Sequence, residues 1–276
     1  MKKNLLFVLL LSATTCLAQK YTGDSWAKVK SNGGSLSVLY YAQPGLIEKD
    51  AGGKMKGVCV DILNDFSAFV QDKYGKKLLI NYVGQDQNFP SFLATAQNTP
   101  NLLGVTNVTI TEERKKIMKF TPPFMSNPLV LLTHKDGPTL SKLEDIGKVL
   151  SGYSAKVITG STHVLAIEKI KKEHMPSLKI AQAGSSTEIL EQLTPATKLF
   201  TILDFTEYVE AVRRQMPVKR QSVNLGGDEE LAFIMAKQTD WDIPWNEFLT
   251  ADYRKGVRYR KIIVDNLGAN FLGILK

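Results

Sequence analysis

Strand-like and helix-like stretches alternate along this chain, and that alternation restricts its fold more than any other feature. Residues 35–41 alternate apolar and polar side chains with the two-residue period of a half-buried strand. Pro44, Gly45, Gly52 and Gly53 mark a loop. Asp61 is placed to cap a helix over 62–72, where Ile62, Phe66, Phe69 and Val70 recur at helical spacing. Residues 77–83 read as a second strand, 89–97 as a short helix and 102–107 as a third strand. Parallel strands need a crossover long enough to hold a helix, so this order predicts an open, mostly parallel α/β sheet flanked by helices.

The same theme then repeats without any repeat in sequence. Residues 129–133 read as a strand, followed by the turn Lys135-Asp-Gly-Pro138. Strands are expected at 156–159, 178–182 and 199–203. Helices are expected from Gly160-Ser161-Thr162 to about 172, over 189–193 after the capping-box pattern Ser185-Ser-Thr-Glu188, and over 205–215. A strand at 230–236 and helices at 243–248 and 257–267 complete the chain. Two lobes follow, joined by crossovers near 129–135 and 218–225. Residues 19–133 and 223–276 are assigned to lobe 1 and 134–222 to lobe 2. Open α/β sheets bind ligands outside the carboxyl ends of their strands, so two such lobes facing each other make a cleft.

The first 18 residues read as a segment outside this fold. Lys2 and Lys3 precede a short apolar core over 5–11, and Cys16-Leu17-Ala18 supplies the small residues that a signal peptidase reads. Cleavage before Gln19, and hence export to the periplasm, is expected. The apolar run is shorter than the ~20 residues a membrane span needs. Thr14-Thr15 argues against a lipid anchor at Cys16. Losing Lys2 and Lys3 from 35 basic residues leaves 33 against 27 acidic, a formal +6. The basic residues are dispersed in short pairs without interleaved aromatics, so no nucleic-acid partner is expected. Cys59 is then the single cysteine and reads as a buried structural thiol. No Cys/His spacing suits a metal, and no cofactor is expected.

Residues 106–114, Thr-Asn-Val-Thr-Ile-Thr-Glu-Glu-Arg, leave the end of the third strand. Thr106, Asn107 and Thr109 are polar, Thr111 can cap a helical turn, and Arg114 can fold back over the loop. A guanidinium matches a carboxylate bidentately, so this stretch reads as a socket for a small acid. The plainer reading of Arg114 is an exposed helix arginine paired with Glu113. Tyr40 and Tyr41 are successive strand residues, so one of them belongs to the core. His134 and His163 have no partner in the sequence and read as hinge or surface residues.

Four segments together resemble the family 3 solute-binding proteins, the amino-acid-binding branch of the type II periplasmic binding fold. They are Gly57-Val-Cys-Val-Asp-Ile62, Thr109-Ile-Thr-Glu-Glu-Arg114 with Phe120-Thr-Pro-Pro-Phe124, Gly160-Ser-Thr162, and Leu203-Asp204. The resemblance implies a two-lobed, non-enzymatic binder whose Arg114 pairs with a ligand carboxylate. It places Thr106, Asn107 and Thr109 on the same rim, offers N–H groups from Ser161 and Thr162, and gives the ligand ammonium to Asp204. Read without it, Asp204, Ser161 and Thr162 are also plain helix caps. Tyr40 or Tyr41 would supply one aromatic wall; Gln85-Asp-Gln-Asn88, where the family often has another, contains no aromatic residue before Phe89. An amino-acid-like zwitterion, a monomeric protein and an inner-membrane permease partner of the ABC type are expected. The alternatives are a sensory module docking to a membrane receptor, or a cyclohexadienyl dehydratase-like enzyme, for which Glu188 and His163 are the candidate acids or bases.

Overall fold

The computed structural model describes residue 21, residues 23–226 and residues 229–273. The expected signal segment and Cys16 lie outside the described residues. The strands are β1 (Gly34–Tyr41), β2 (Glu48–Lys49), β3 (Met55–Lys56), β4 (Leu78–Asp86), β5 (Leu102–Thr109), β6 (Met118–Phe120), β7 (Met125–Asn127), β8 (Leu129–His134), β9 (Ser154–Ile158), β10 (Ile180–Ala183), β11 (Leu199–Asp204), β12 (Val218–Arg220) and β13 (Glu229–Ala236).

Two sheets organise these strands, one per lobe. The first has the order β4-β1-β5-β13-β6 with β7 added beside β13, and the second has the order β10-β9-β11-β8-β12. Each sheet is mixed. The mostly parallel order expected from sequence holds for β4-β1-β5 and β10-β9-β11, whereas β13, β6, β7, β8 and β12 join antiparallel. Because β8 pairs with β11 and β12, the chain crosses to the second sheet between Asn127 and Leu129. The return crossing lies between Arg220 and Glu229.

Helices cover the faces, which is why β1 buries every residue from Leu36 to Tyr41. The first lobe's core is aromatic. Phe66 stacks on Trp245 with ring centroids 3.9 Å apart, and Phe233 and Phe248 pack around the same indole. The helix carrying Phe66 runs Val58–Tyr74 and starts ahead of the expected Asp61 cap. Its start is set instead by Gly57 at φ 117°, where a Cβ would lie 2.3 Å from the Leu46 carbonyl oxygen. Cys59 is therefore inside the first helical turn and fully buried, and that burial pushes its thiol pKa up, away from nucleophilic chemistry. No helix among the described residues is long and apolar enough to cross a membrane.

Parallel pairing decides which residues reach the cleft. The β1–β5 and β9–β11 pairs bring the carboxyl ends Tyr41, Thr109, Ile158 and Asp204 to the facing edges of the two sheets. In β1, Tyr41 pairs with Asp86 of β4, so the helix that follows β4, Phe89–Asn98, opens beside Tyr41.

Candidate functional site

One cavity lies between the sheets, lined by Tyr41, Gln43, Phe89, Asn107, Thr109 and Arg114 from the first lobe. Ile158, Ser161, Thr162, His163, Asp204 and Glu207 line it from the second. The centre of a water-sized sphere can move through only about 20 Å³ of it, roughly room for one water. The two walls are held together by the protein's own polar groups.

Thr111 caps the helix Glu112–Ile117 by accepting the Arg114 N–H at 3.2 Å, as the sequence suggests. That turn folds the Arg114 side chain back over the end of β5. The guanidinium donates to the Thr109 carbonyl at 2.9 Å and, across the cleft, to the Gly160 carbonyl at 2.9 Å. It is thus held by carbonyls rather than by Glu113, and its centre lies 5.8 Å from the Phe89 ring. Burial lowers its pKa below the ordinary value, opposed by the charge of Glu229. A guanidinium has five N–H donors, so these two bonds leave capacity for a carboxylate.

Asp204 ends β11 and is 2% exposed. Asn107 Nδ2 donates to its Oδ2 from the other lobe, and His163 Nε2 lies 3.4 Å from its Oδ1. Its own N–H donates to Glu207 Oε2 at 3.0 Å, one arm of the capping box of the helix Phe205–Arg213. Asp204 therefore both begins that helix and faces the cavity. Ser161 Oγ turns back to the Ile158 carbonyl at 2.8 Å, whereas Thr162 reaches across to Glu229 Oε2 at 3.0 Å and makes no side-chain cap. Thr109 Oγ1 donates to the same Glu229 oxygen and lies 3.3 Å from Thr162 Oγ1.

Two of the expected residues stand back from the cavity. Thr106 is fully buried, and its hydroxyl donates to Asn107 Oδ1 at 3.0 Å, so it positions Asn107. Tyr40 points to the opposite face of β1 from Tyr41 and belongs to the core, with its hydroxyl on Gln85 Oε1 at 3.0 Å. Tyr41 lines the cavity and donates to the Gly184 carbonyl of the second lobe at 3.0 Å. Phe89 meets it edge-on, with centroids 5.5 Å apart. The two rings form one aromatic corner rather than two facing walls.

Four site residues were not legible in the sequence. His163 is a correction: it is 4% exposed and faces Asp204, not the surface. It opens the helix that follows β9, and Asp204 ends the neighbouring parallel strand, so the topology brings them together. Glu207, Gln43 and Glu229 carry no motif. Glu207 accepts from Gln43 Nε2 across the cleft. By contrast, Glu188 is drawn to Lys156 Nζ at 2.8 Å and the Gly184 N–H at 3.0 Å and does not line the cavity.

Burial alone would lower the His163 pKa, but its contact with Asp204 and the charges of Asp204, Glu207 and Glu229 outweigh that and raise it to about 9. Burial, then the charge of Asp204, raises Glu207 to about 6, against His163 and hydrogen bonds from Gln43 and Ser186. The His163 contribution to stability is fully present below the ordinary value of 6.5 and is lost as pH rises through about 9. Glu207, whose pKa is likewise raised, loses its contribution earlier, as pH rises from the ordinary 4.5 through about 6, which leaves the window above pH 6 to His163. The urea midpoint is thus expected to fall between pH 6 and 9, by up to about 3 kcal/mol in stability. The fall should be clearly smaller in His163→Gln; equal slopes would contradict the assignment.

Residues 38–256 match the profile of the bacterial extracellular solute-binding proteins, family 3. The chain belongs to this family. The fold of this solute-binding protein agrees with solved structures. An ancestral arginine-binding protein bound to glutamine superimposes with a TM-score of 0.67 at 22% identity, over 85% of this chain and 98% of that one. A putative L-cystine ABC transporter from Listeria monocytogenes gives 0.68 at 19% identity, over 86% and 97%. An ancestral amino-acid-binding protein described as a precursor of cyclohexadienyl dehydratase gives 0.66 at 21% identity, over 87% and 98%.

Proposed function

We propose that this solute-binding protein is exported, captures a small α-amino acid or related zwitterion between its lobes, and delivers it to an ABC-type permease. The observation that carries this reading is the placement of Arg114 and Asp204, from opposite lobes, in the wall of one cavity. A ligand carboxylate takes the free donors of Arg114, beside Thr109 and the Ser161–Thr162 turn. A ligand ammonium takes Asp204, displacing the Asn107 amide. Entry needs the cross-lobe bonds Asn107–Asp204, Gln43–Glu207, Tyr41–Gly184 and Arg114–Gly160 to open, and the ligand replaces them with its own on closure. The two crossings between the sheets act as the hinge. Lobe 1 then comprises the chain up to Asn127 and from Glu229 on, and lobe 2 the chain between. The Arg and Asp positions of the family motif coincide with this pair, and amino acids are the ligands named for several structures of the same fold.

The enzymatic alternative loses Glu188, which is paired outside the cavity, and retains only His163 as a candidate acid. A binding role without turnover is therefore favoured. A calorimetric screen of the common amino acids against the wild type and Arg114→Ala tests the proposal. Charged hydrogen bonds contribute about 1.5–3 kcal/mol each, so Arg114→Ala should weaken binding of any hit by at least roughly tenfold. Equal affinity in both proteins would remove the carboxylate role of Arg114.

A further inference from the structure

The charges around the cavity do not balance. Arg114 and His163 face Asp204 and Glu207, and a third carboxylate, Glu229, stands directly behind the Thr109 and Thr162 hydroxyls. A ring nitrogen of His163 and one carboxylate oxygen each of Asp204 and Glu229 all lie within 4.8 Å of one another. Counting His163 with Arg114, two basic side chains meet three acidic ones. A zwitterion adds nothing to this sum. Glu229 is half-exposed, but closing the lobes over a zwitterion would leave Glu207, 4% exposed, with only the neutral Gln43 and Ser186 as side-chain hydrogen-bond partners. A buried carboxylate without a cationic partner is strongly unfavourable.

We infer that the ligand carries one net positive charge and is an α-amino acid with a cationic side chain. This inference rests on the amino-acid reading given above and deepens it. The ligand's carboxylate and α-ammonium occupy Arg114 and Asp204. Glu207 is the acceptor assigned to the side-chain cation. One of its oxygens is fixed by the Asp204 N–H, while the other accepts the neutral Gln43 amide from the opposite lobe; its remaining side-chain hydrogen bond comes from Ser186, which is also neutral. A guanidinium or ammonium displacing that amide gains a charge-assisted bond. The groups facing Glu207 are Asp204, His163, Gln43, Ser186 and the Tyr41 ring, and Glu207 ionises at about pH 6 there. A proton thus supplies the missing charge at acidic pH, and a cationic ligand displaces it.

The test is calorimetric titration of the wild-type protein at pH 7.5 with arginine, lysine and ornithine. The uncharged counterparts citrulline and norleucine are run alongside. At least one cationic ligand should bind tenfold or more tightly than its counterpart. In Glu207→Gln that ratio should fall tenfold or more. At pH 6 the measured enthalpy should vary with the ionisation heat of the buffer, reporting proton release. Binding of citrulline or norleucine as tightly as arginine or lysine would overturn this inference and leave the amino-acid reading standing. Binding of no amino acid at all would overturn both.

Discussion

Asp204→Ala is expected to weaken amino-acid binding by 100-fold or more and to lower the pKa of His163 sharply. The carboxylate removed is almost fully buried and serves three partners: Asn107 from the other lobe, His163, and, in the proposed complex, the ligand ammonium. Removing one partner of a buried ion pair costs about 3–5 kcal/mol, and each 1.4 kcal/mol is tenfold in affinity. The mutation also strips His163 of the contact that offsets its burial, so burial then dominates and the imidazole loses its proton nearer neutrality. Asp204→Asn keeps the shape but not the charge and should lie between. Calorimetry reads the affinity, and an NMR titration of the His163 ring reads the pKa. Unchanged affinity in Asp204→Ala would show that this carboxylate binds no ammonium.

Trp245→Ala is expected to lower stability by about 3–5 kcal/mol. The indole is completely buried, lies flat on Phe66 with planes 13° apart, and meets Phe233 and Phe248. It ties the helix Asp242–Phe248 to the long helix Val58–Tyr74 and to β13. An alanine there leaves a cavity that stacked rings cannot collapse into. Trp245→Phe should cost clearly less, because it keeps a ring on Phe66 and removes an indole N–H that has no hydrogen-bond partner. Urea unfolding followed by circular dichroism gives both values. A loss below about 1 kcal/mol for Trp245→Ala would mean that this aromatic stack is not a main support of the first lobe.

Periodicity was a sound guide where elements were long. The helix Val257–Leu267 and the strands β1, β4, β5 and β13 stand within a few residues of where their patterns place them. Short elements escaped: β6, β7 and β12 have three residues each, too few for a period to show. They are specified by their antiparallel partners β13 and β8, not by their own sequences. The long helix begins early because its start depends on a close approach between Gly57 and the distant Leu46 carbonyl, which no local cap announces.

The site divides along the same line. Thr111 and Arg114 form a local turn, so their geometry was readable from neighbouring residues. Tyr40 and Tyr41 could be recognised as one core and one cleft residue, since strand side chains alternate, but not which was which. His163, Gln43, Glu207 and Glu229 acquire their partners across the cleft or between neighbouring strands. Thr109 and Glu229, for instance, are 120 residues apart. Such contacts are products of the topology, and only the resemblance of Asp204 to a family position pointed toward them.

The central claim is that Arg114 and Asp204 read the two ends of an α-amino acid. The most direct measurement is calorimetric titration of the wild-type protein with lysine, then with cadaverine, which lacks only the carboxylate, and with 6-aminohexanoate, which lacks only the α-ammonium. Losing either end forfeits a charged hydrogen-bonded contact in a closed site, so both analogues should bind at least roughly tenfold more weakly than lysine. Binding of either analogue as tightly as lysine would contradict the claim.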